Sequence, residues 1–149
     1  MKITYENLIK FDNIAARWLK NLNNENTKLG YAIKKVSKKI TVLLKPVSEL
    51  DEQLQIDVED IRSDNALTDP TTKAFIYDLV GEVRHYKYTP ETRKKRDNEI
   101  RIKIKQYNVD VEKLLSQEIE FTTPYFATEI PKDLTLEEKD AFKEIVIKK

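Results

Sequence analysis

Residues 27–63 read TKLGYAIKKVSKKITVLLKPVSELDEQLQIDVEDIRS, and this stretch decides the fold. Thr27 stands where a helix N-cap belongs, because a hydroxyl there accepts from the free N–H groups of the first turn. Leu29, Ile33, Val36, Ile40 and Leu43 follow at spacings of 4, 3, 4 and 3, which is one face of an α-helix. Lys34, Lys35, Lys38 and Lys39 lie between them, largely off that face. Pro46 removes a backbone donor and crowds the preceding turn. The apolar stripe nevertheless resumes at Val47, Leu50, Leu54, Val58 and Ile61. The segment is therefore one long helix, 27–63, kinked near Pro46, or two helices with the second capped by Ser48. In either case its first half is basic and its second half acidic.

That change of sign belongs to a pattern that runs through the chain. The net charge is +1, but it hides four blocks. Residues 1–46 carry 10 Lys+Arg against 3 Asp+Glu, and residues 47–82 carry 2 against 10. Residues 83–105 carry 9 against 3, and residues 106–149 carry 6 against 10. A chain patterned this way satisfies its own fields on folding, or offers faces of opposite sign to neighbouring copies or partners.

Outward toward the N-terminus, residues 4–22 read as an amphipathic helix. Thr4 is its cap, and Ile3 and Leu8 have the spacing of a hydrophobic staple. Leu8, Phe11, Ala15, Trp18 and Leu22 form the stripe, which places Trp18 in the core. Asn23-Asn24-Glu25-Asn26 reads as a turn, since Asx side chains bond their own backbone. Outward toward the C-terminus, residues 64–74 read as a loop. Phe75 to Asp78 and Val83 to Tyr88 read as a short β-hairpin, with Asp78 and Gly81 in its turn. Thr89-Pro90-Glu91 opens a helix from 90 to about 116, with a capping hydroxyl, a proline at the first helical position and an acid in the first turn. Its apolar face is Ile100, Ile104, Tyr107, Val111 and Leu114. Ile119 and Phe121 alternate with Glu118 and Glu120 in an extended segment that Pro124 confines to a sheet edge. Thr135 and Glu138 have capping-box spacing and start a last helix with Leu136, Phe142 and Ile145 inward. The end, Ile145-Val146-Ile147, is its final turn or a terminal strand.

These elements predict one domain, residues 1–149, of α+β class. It is mainly helical, and the hairpin and the third extended segment form a small antiparallel sheet. A hydrophobic fraction of 40% and a charged fraction of 36% suit amphipathic helices with solvated outer faces. The absence of cysteine excludes disulfides and thiolate metal sites and favours a reducing compartment. No stretch approaches 18 apolar residues, so no membrane-spanning helix is expected. Met1-Lys2-Ile3-Thr4-Tyr5-Glu6 lacks the marks of a secretory signal. Gly30 and Gly81 are the only glycines, too few for a phosphate-cradling loop or a dinucleotide fingerprint.

Chemistry-bearing residues are sparse. His85 is the only histidine and has no sequence-evident nucleophile or carboxylate partner, so a surface or hydrogen-bonded role is expected. The acidic run Asp57, Glu59, Asp60 and Asp64, in which Asp57, Asp60 and Asp64 share a helix face, could suggest a divalent-metal site but lacks the glycine and bidentate Glu of an EF-hand loop, and reads as a solvated face. Asp78, Glu82 and Arg84 resemble the carboxylates and cation of a metal-dependent nuclease, but arginine cannot serve as a base. The best anion-contact candidate is Arg93, Lys94, Lys95 and Arg96, supported by Lys87, Arg101, Lys103 and Lys105. Tyr86 and Tyr88 stand nearby in sequence for stacking on bases. Tyr125 and Phe126, consecutive aromatics after a proline, project to opposite sides of an extended chain. They are candidate interface anchors.

The layout carries a resemblance. A short capped helix precedes Thr27-Lys28-Leu29-Gly30-Tyr31-Ala32-Ile33-Lys34. A Gly-turn hairpin leads into Tyr88-Thr89-Pro90-Glu91, and the chain closes on Glu129-Ile130-Pro131-Lys132-Asp133-Leu134-Thr135. Over most of its length this resembles small, functionally uncharacterised accessory proteins of tailed bacteriophages. The resemblance implies a viral origin and a role without known chemistry. The expectation is a non-enzymatic protein-binding or assembly protein, phage-encoded, serving as a virion component or an infection-stage accessory protein. It would act in the host cytoplasm or the virion, on a protein partner or a second copy, with no cofactor and no membrane. One alternative is an inhibitor of a host defence system. Another is a nucleic-acid-binding protein using the basic 87–105 segment. Nucleic acid is less favoured because such modules are usually strongly basic overall, and this chain is near neutral.

Overall fold

Threonine hydroxyls start four of the helices. In the computed structural model, which describes residues 1–147, Thr4, Thr27 and Thr135 hold extended backbone. Each accepts from a backbone N–H three residues on: Asn7 at 3.2 Å, Gly30 at 3.0 Å and Glu138 at 3.2 Å. Thr89 does the same for the Thr92 N–H at 3.1 Å. Such caps satisfy donors that a helix start leaves free. The elements are β1 Lys2–Thr4, α1 Tyr5–Leu19, α2 Leu22–Glu25, α3 Lys28–Leu43 and α4 Lys45–Asn65. Then come β2 Tyr77–Val80, β3 Val83–Tyr86, α5 Pro90–Leu115, β4 Glu118–Glu120 and α6 Leu136–Ile145. Helix takes 63% of the structure. The strands form two antiparallel pairs, β1 with β4 and β2 with β3. The fold is therefore mainly helical α+β, as the sequence predicts.

The chain divides into two compact units. One is residues 1–47 with the chain from Lys113 onward, and the other is residues 48–112. The first unit holds the core. Leu8, Phe11, Ala15 and Trp18 of α1 meet Leu29, Ala32, Ile33, Val36 and Ile40 of α3, with Phe121, Phe142, Ile145 and Val146. Phe142 packs its ring edge-on against Phe11 and Trp18, at centroid distances of 5.9 and 5.5 Å, an arrangement favoured by the ring quadrupoles. Ile3 and Leu8 are both buried, as the staple requires. The second unit holds one buried apolar residue, Ile61, and the buried Asn65, whose amide donates to the Ile61 carbonyl at 2.8 Å. Within it α4 and α5 run antiparallel: Tyr107 bonds Asp51, and Lys103 approaches Asp57 at 3.9 Å.

Several sequence expectations need correction. Residues 27–63 are two helices, broken at Leu44 (ψ 0°), and the second begins at Lys45 rather than with a Ser48 cap. Pro46 thus occupies the first turn of α4, where its missing N–H leaves no helical bond unmade. Residues 23–25 are not a turn but lie in α2, because Asn21 caps a fresh start by accepting from the Asn23 N–H at 3.0 Å. That restart ends the phase of α1, and Leu22 is exposed instead of extending the stripe. Asp78 lies within β2, opposite His85, and not in the turn. The turn is Gly81-Glu82, with Gly81 at φ +65°, the sign a two-residue hairpin loop demands of its first residue. The extended segment at 118–120 pairs with β1, in register Ile3↔Ile119; it does not join the hairpin. Leu136 is exposed because it sits nine residues before the buried Ile145, on the opposite side of α6. Ile145 closes α6, and Ile147 forms a parallel bridge with Ala127. The α5 stripe is periodic as read, yet no α5 residue is buried and Ile104 is exposed.

Candidate functional site

The second unit carries a cleft of about 790 Å³. Its walls come from three elements. Glu59 and Arg62 are one turn apart on α4, Arg93 and Arg96 one turn apart on α5, and Tyr77, Arg84 and Tyr86 come from the hairpin. The hairpin register pairs Tyr77 with Tyr86 and Leu79 with Arg84. Strand alternation therefore puts all four on one face. The Tyr77 and Tyr86 rings stack at 5.5 Å with 23° between their planes. Phe75 joins them, 5.0 Å from Tyr86, and Arg84 lies over the Tyr77 ring at 5.8 Å.

The hairpin is held in place by the chain before it. The Leu67 N–H donates to the Lys87 carbonyl at 2.8 Å, and the Ile76 N–H donates to the Leu67 carbonyl at 3.0 Å. Between them Asp69 accepts from the N–H groups of Thr71 and Thr72, at 2.8 and 2.9 Å. Those bonds, Thr72 first, hold its carboxyl below the ordinary value. Within the cleft the hydrogen bond between Tyr86 and Glu59 raises the phenol above its ordinary value, with desolvation and the negative charge of Glu59 adding to it. Tyr88 donates to the Arg62 carbonyl at 3.2 Å. Arg96 lies over the Tyr88 ring at 4.4 Å and pairs with Asp97 at 2.7 Å. Desolvation opposes its charge, and the bonds to Asp97 and Tyr88 outweigh this and leave it raised. The result is a concentration of guanidinium charge beside flat aromatic faces.

Of the basic run, the structure brings only Arg93 and Arg96 to this cleft. Lys94 does not line it, and Lys95 pairs with Glu99 at 3.8 Å along the helix. Arg62 and Tyr77 were not singled out by sequence reading, and Arg84 figured only in the nuclease pattern. Nothing local marks them, since a cation in an acidic helix and two hairpin residues meet only through the fold. Asp78 and His85 line the cleft, and His85 is exposed. Asp57 accepts from Gln53 at 2.9 Å. Among the described residues no group of three or more His, Asp or Glu is placed to hold a metal ion. No helix among them is long and apolar enough to cross a membrane.

Tyr125 and Phe126 belong to the first unit, and both are exposed. Tyr125 meets Tyr31 edge-on at 5.0 Å. Phe126 borders a separate cleft of about 480 Å³ with Met1, Phe121 and Ile147.

The second feature of the second unit is bare apolar surface. Of eighteen large hydrophobics exposed among the described residues, ten lie within residues 48–112. The hairpin end is the most open, with Leu79 at 70%, Val80 at 66% and Val83 at 58% exposure. No family model matches this chain, and no curated protein or solved structure matches it either.

Proposed function

We propose that this chain is a non-enzymatic protein-binding or assembly protein that engages its protein partner through the second unit. The phage resemblance of its layout supports a role as an infection-stage accessory protein or a virion component. One observation carries the reading. The hairpin presents Leu79, Val80 and Val83 to solvent at the end of a unit that buries almost no apolar side chain of its own. Apolar groups gathered in this way mark interaction surfaces, whereas scattered ones need no explanation.

Site-specific photo-crosslinking tests it. A photoreactive residue at Leu79 should give a discrete protein adduct in phage-infected cells. The same residue at Leu136, equally exposed in the first unit, should not. The adduct should disappear when Val80 and Val83 are changed to Ser. Equal labelling from both positions, or none from Leu79, contradicts the reading.

A further inference from the structure

We propose that the cleft of the second unit is a nucleotide site, taking a base against its tyrosine rings and the attached phosphate on its arginines. Arg62, Arg84, Arg93 and Arg96 converge there from α4, β3 and α5. A guanidinium stays charged at any physiological pH and offers paired N–H donors that match two phosphate oxygens at once.

Two carboxylates stand in the wall, Glu59 and Asp78, against these four guanidiniums. Glu59 is engaged by the Tyr86 hydroxyl and lies 3.9 Å from Arg62. Among the described residues, Arg84 and Arg93 form no ion pair with a carboxylate, so two guanidiniums remain for an incoming anion. The aromatic wall narrows the class of anion. Tyr77 and Tyr86 are already stacked, and Arg84 and Arg96 already lie over tyrosine rings. A planar base extends such a stack, and every base has a face that suits it. Inorganic phosphate or an acidic peptide would use the arginines and leave the rings idle. The volume, about 790 Å³, lies within the roughly 300–1,000 Å³ of small-ligand sites. The same chemistry reaches the cleft from a free nucleotide or from one nucleotide of a single strand.

The test is a binding titration of the full chain at about 0.15 M salt, where longer-range contacts between exposed charges are screened. The probes are ADP, inorganic pyrophosphate, and fluorescent single-stranded DNA and RNA oligonucleotides. ADP or an oligonucleotide should bind saturably, and pyrophosphate more weakly. Arg84→Gln with Arg93→Gln should weaken binding about tenfold or more, the scale of a lost bidentate contact. Tyr77→Leu should weaken it as well. These positions are exposed, so the variants should keep the parent melting temperature. Lys35→Gln with Lys38→Gln on α3 should leave binding unchanged. Binding of ADP identifies a free nucleotide as ligand, and binding of oligonucleotides alone identifies a strand. Failure of every nucleotide probe, pyrophosphate binding as tightly as ADP, or equal losses in the α3 variant overturns the proposal.

Discussion

The two units of this chain spend their apolar residues differently. In the first, α1, α3 and α6 turn theirs inward, and nine large side chains among its described residues are fully buried. In the second, helices of comparable or greater length bury a single apolar side chain, Ile61. The difference lies in composition. Stripe positions of α3 are flanked by lysines that leave the inward face purely apolar. On α5, Ile100, Ile102 and Ile104 alternate with Arg101, Lys103 and Lys105. Successive residues on a helix point 100° apart, so Ile100 and Ile104 share the stripe while Ile102 projects from the other side, and no single face takes all three. A helix of this kind gains little from its own unit and leaves apolar surface exposed.

The largest effect expected from breaking this contrast comes from the first unit. Phe142→Ala removes a ring wedged between Phe11 and Trp18 and should cost about 3–5 kcal/mol. Chemical denaturation would show it as a lower midpoint at unchanged slope. Gly30→Ala is next. A Cβ at Gly30 would meet the carbonyl oxygens of Asn24 and Glu25 at 2.3 and 2.8 Å, both backbone. The α2–α3 corner must then shift, at about 1–3 kcal/mol, the scale of overpacking, again read by denaturation. In the second unit Gly81→Ala meets no neighbour within 4 Å. Its cost is only that of a left-handed residue, about 1–2 kcal/mol, and should appear as faster amide exchange in the hairpin rather than a large loss of global stability. Smallest is Pro46→Ala. Its ring sits in the first turn of α4, so the change should stay within about 0.5 kcal/mol, as for an ordinary surface site. A fall in melting temperature of many degrees would show that the break at Leu44 depends on the proline.

Much of this was legible in the sequence because it is local chemistry. Thr4, Thr27, Thr89 and Thr135 announce their helices by hydroxyl and spacing, and Leu8, Phe11, Ala15 and Trp18 announce a buried face. What was not legible depends on partners distant along the chain. Lys2-Ile3-Thr4 is too short to read as a strand, and only Glu118–Glu120 makes it one. The cleft joins Arg62 and Arg84, which nothing local marks as anion contacts, to Arg93 of the basic run. Of the run Arg93 to Arg96, the fold brings only the first and last residues to the cleft. Four consecutive helical residues point in four directions, and only Arg93 and Arg96, three apart, share a side.

Amide hydrogen exchange across the whole chain tests the central claim, that stability resides in the first unit and that the hairpin proposed as a binding surface opens locally. The account predicts that α1 and α3 amides exchange only through global unfolding and speed up by the full cost of Phe142→Ala. Amides of β2 and β3 should exchange through local opening at lower free energy and change little in that variant. Hairpin amides as slow as those of α3, and shifted equally by Phe142→Ala, would contradict it.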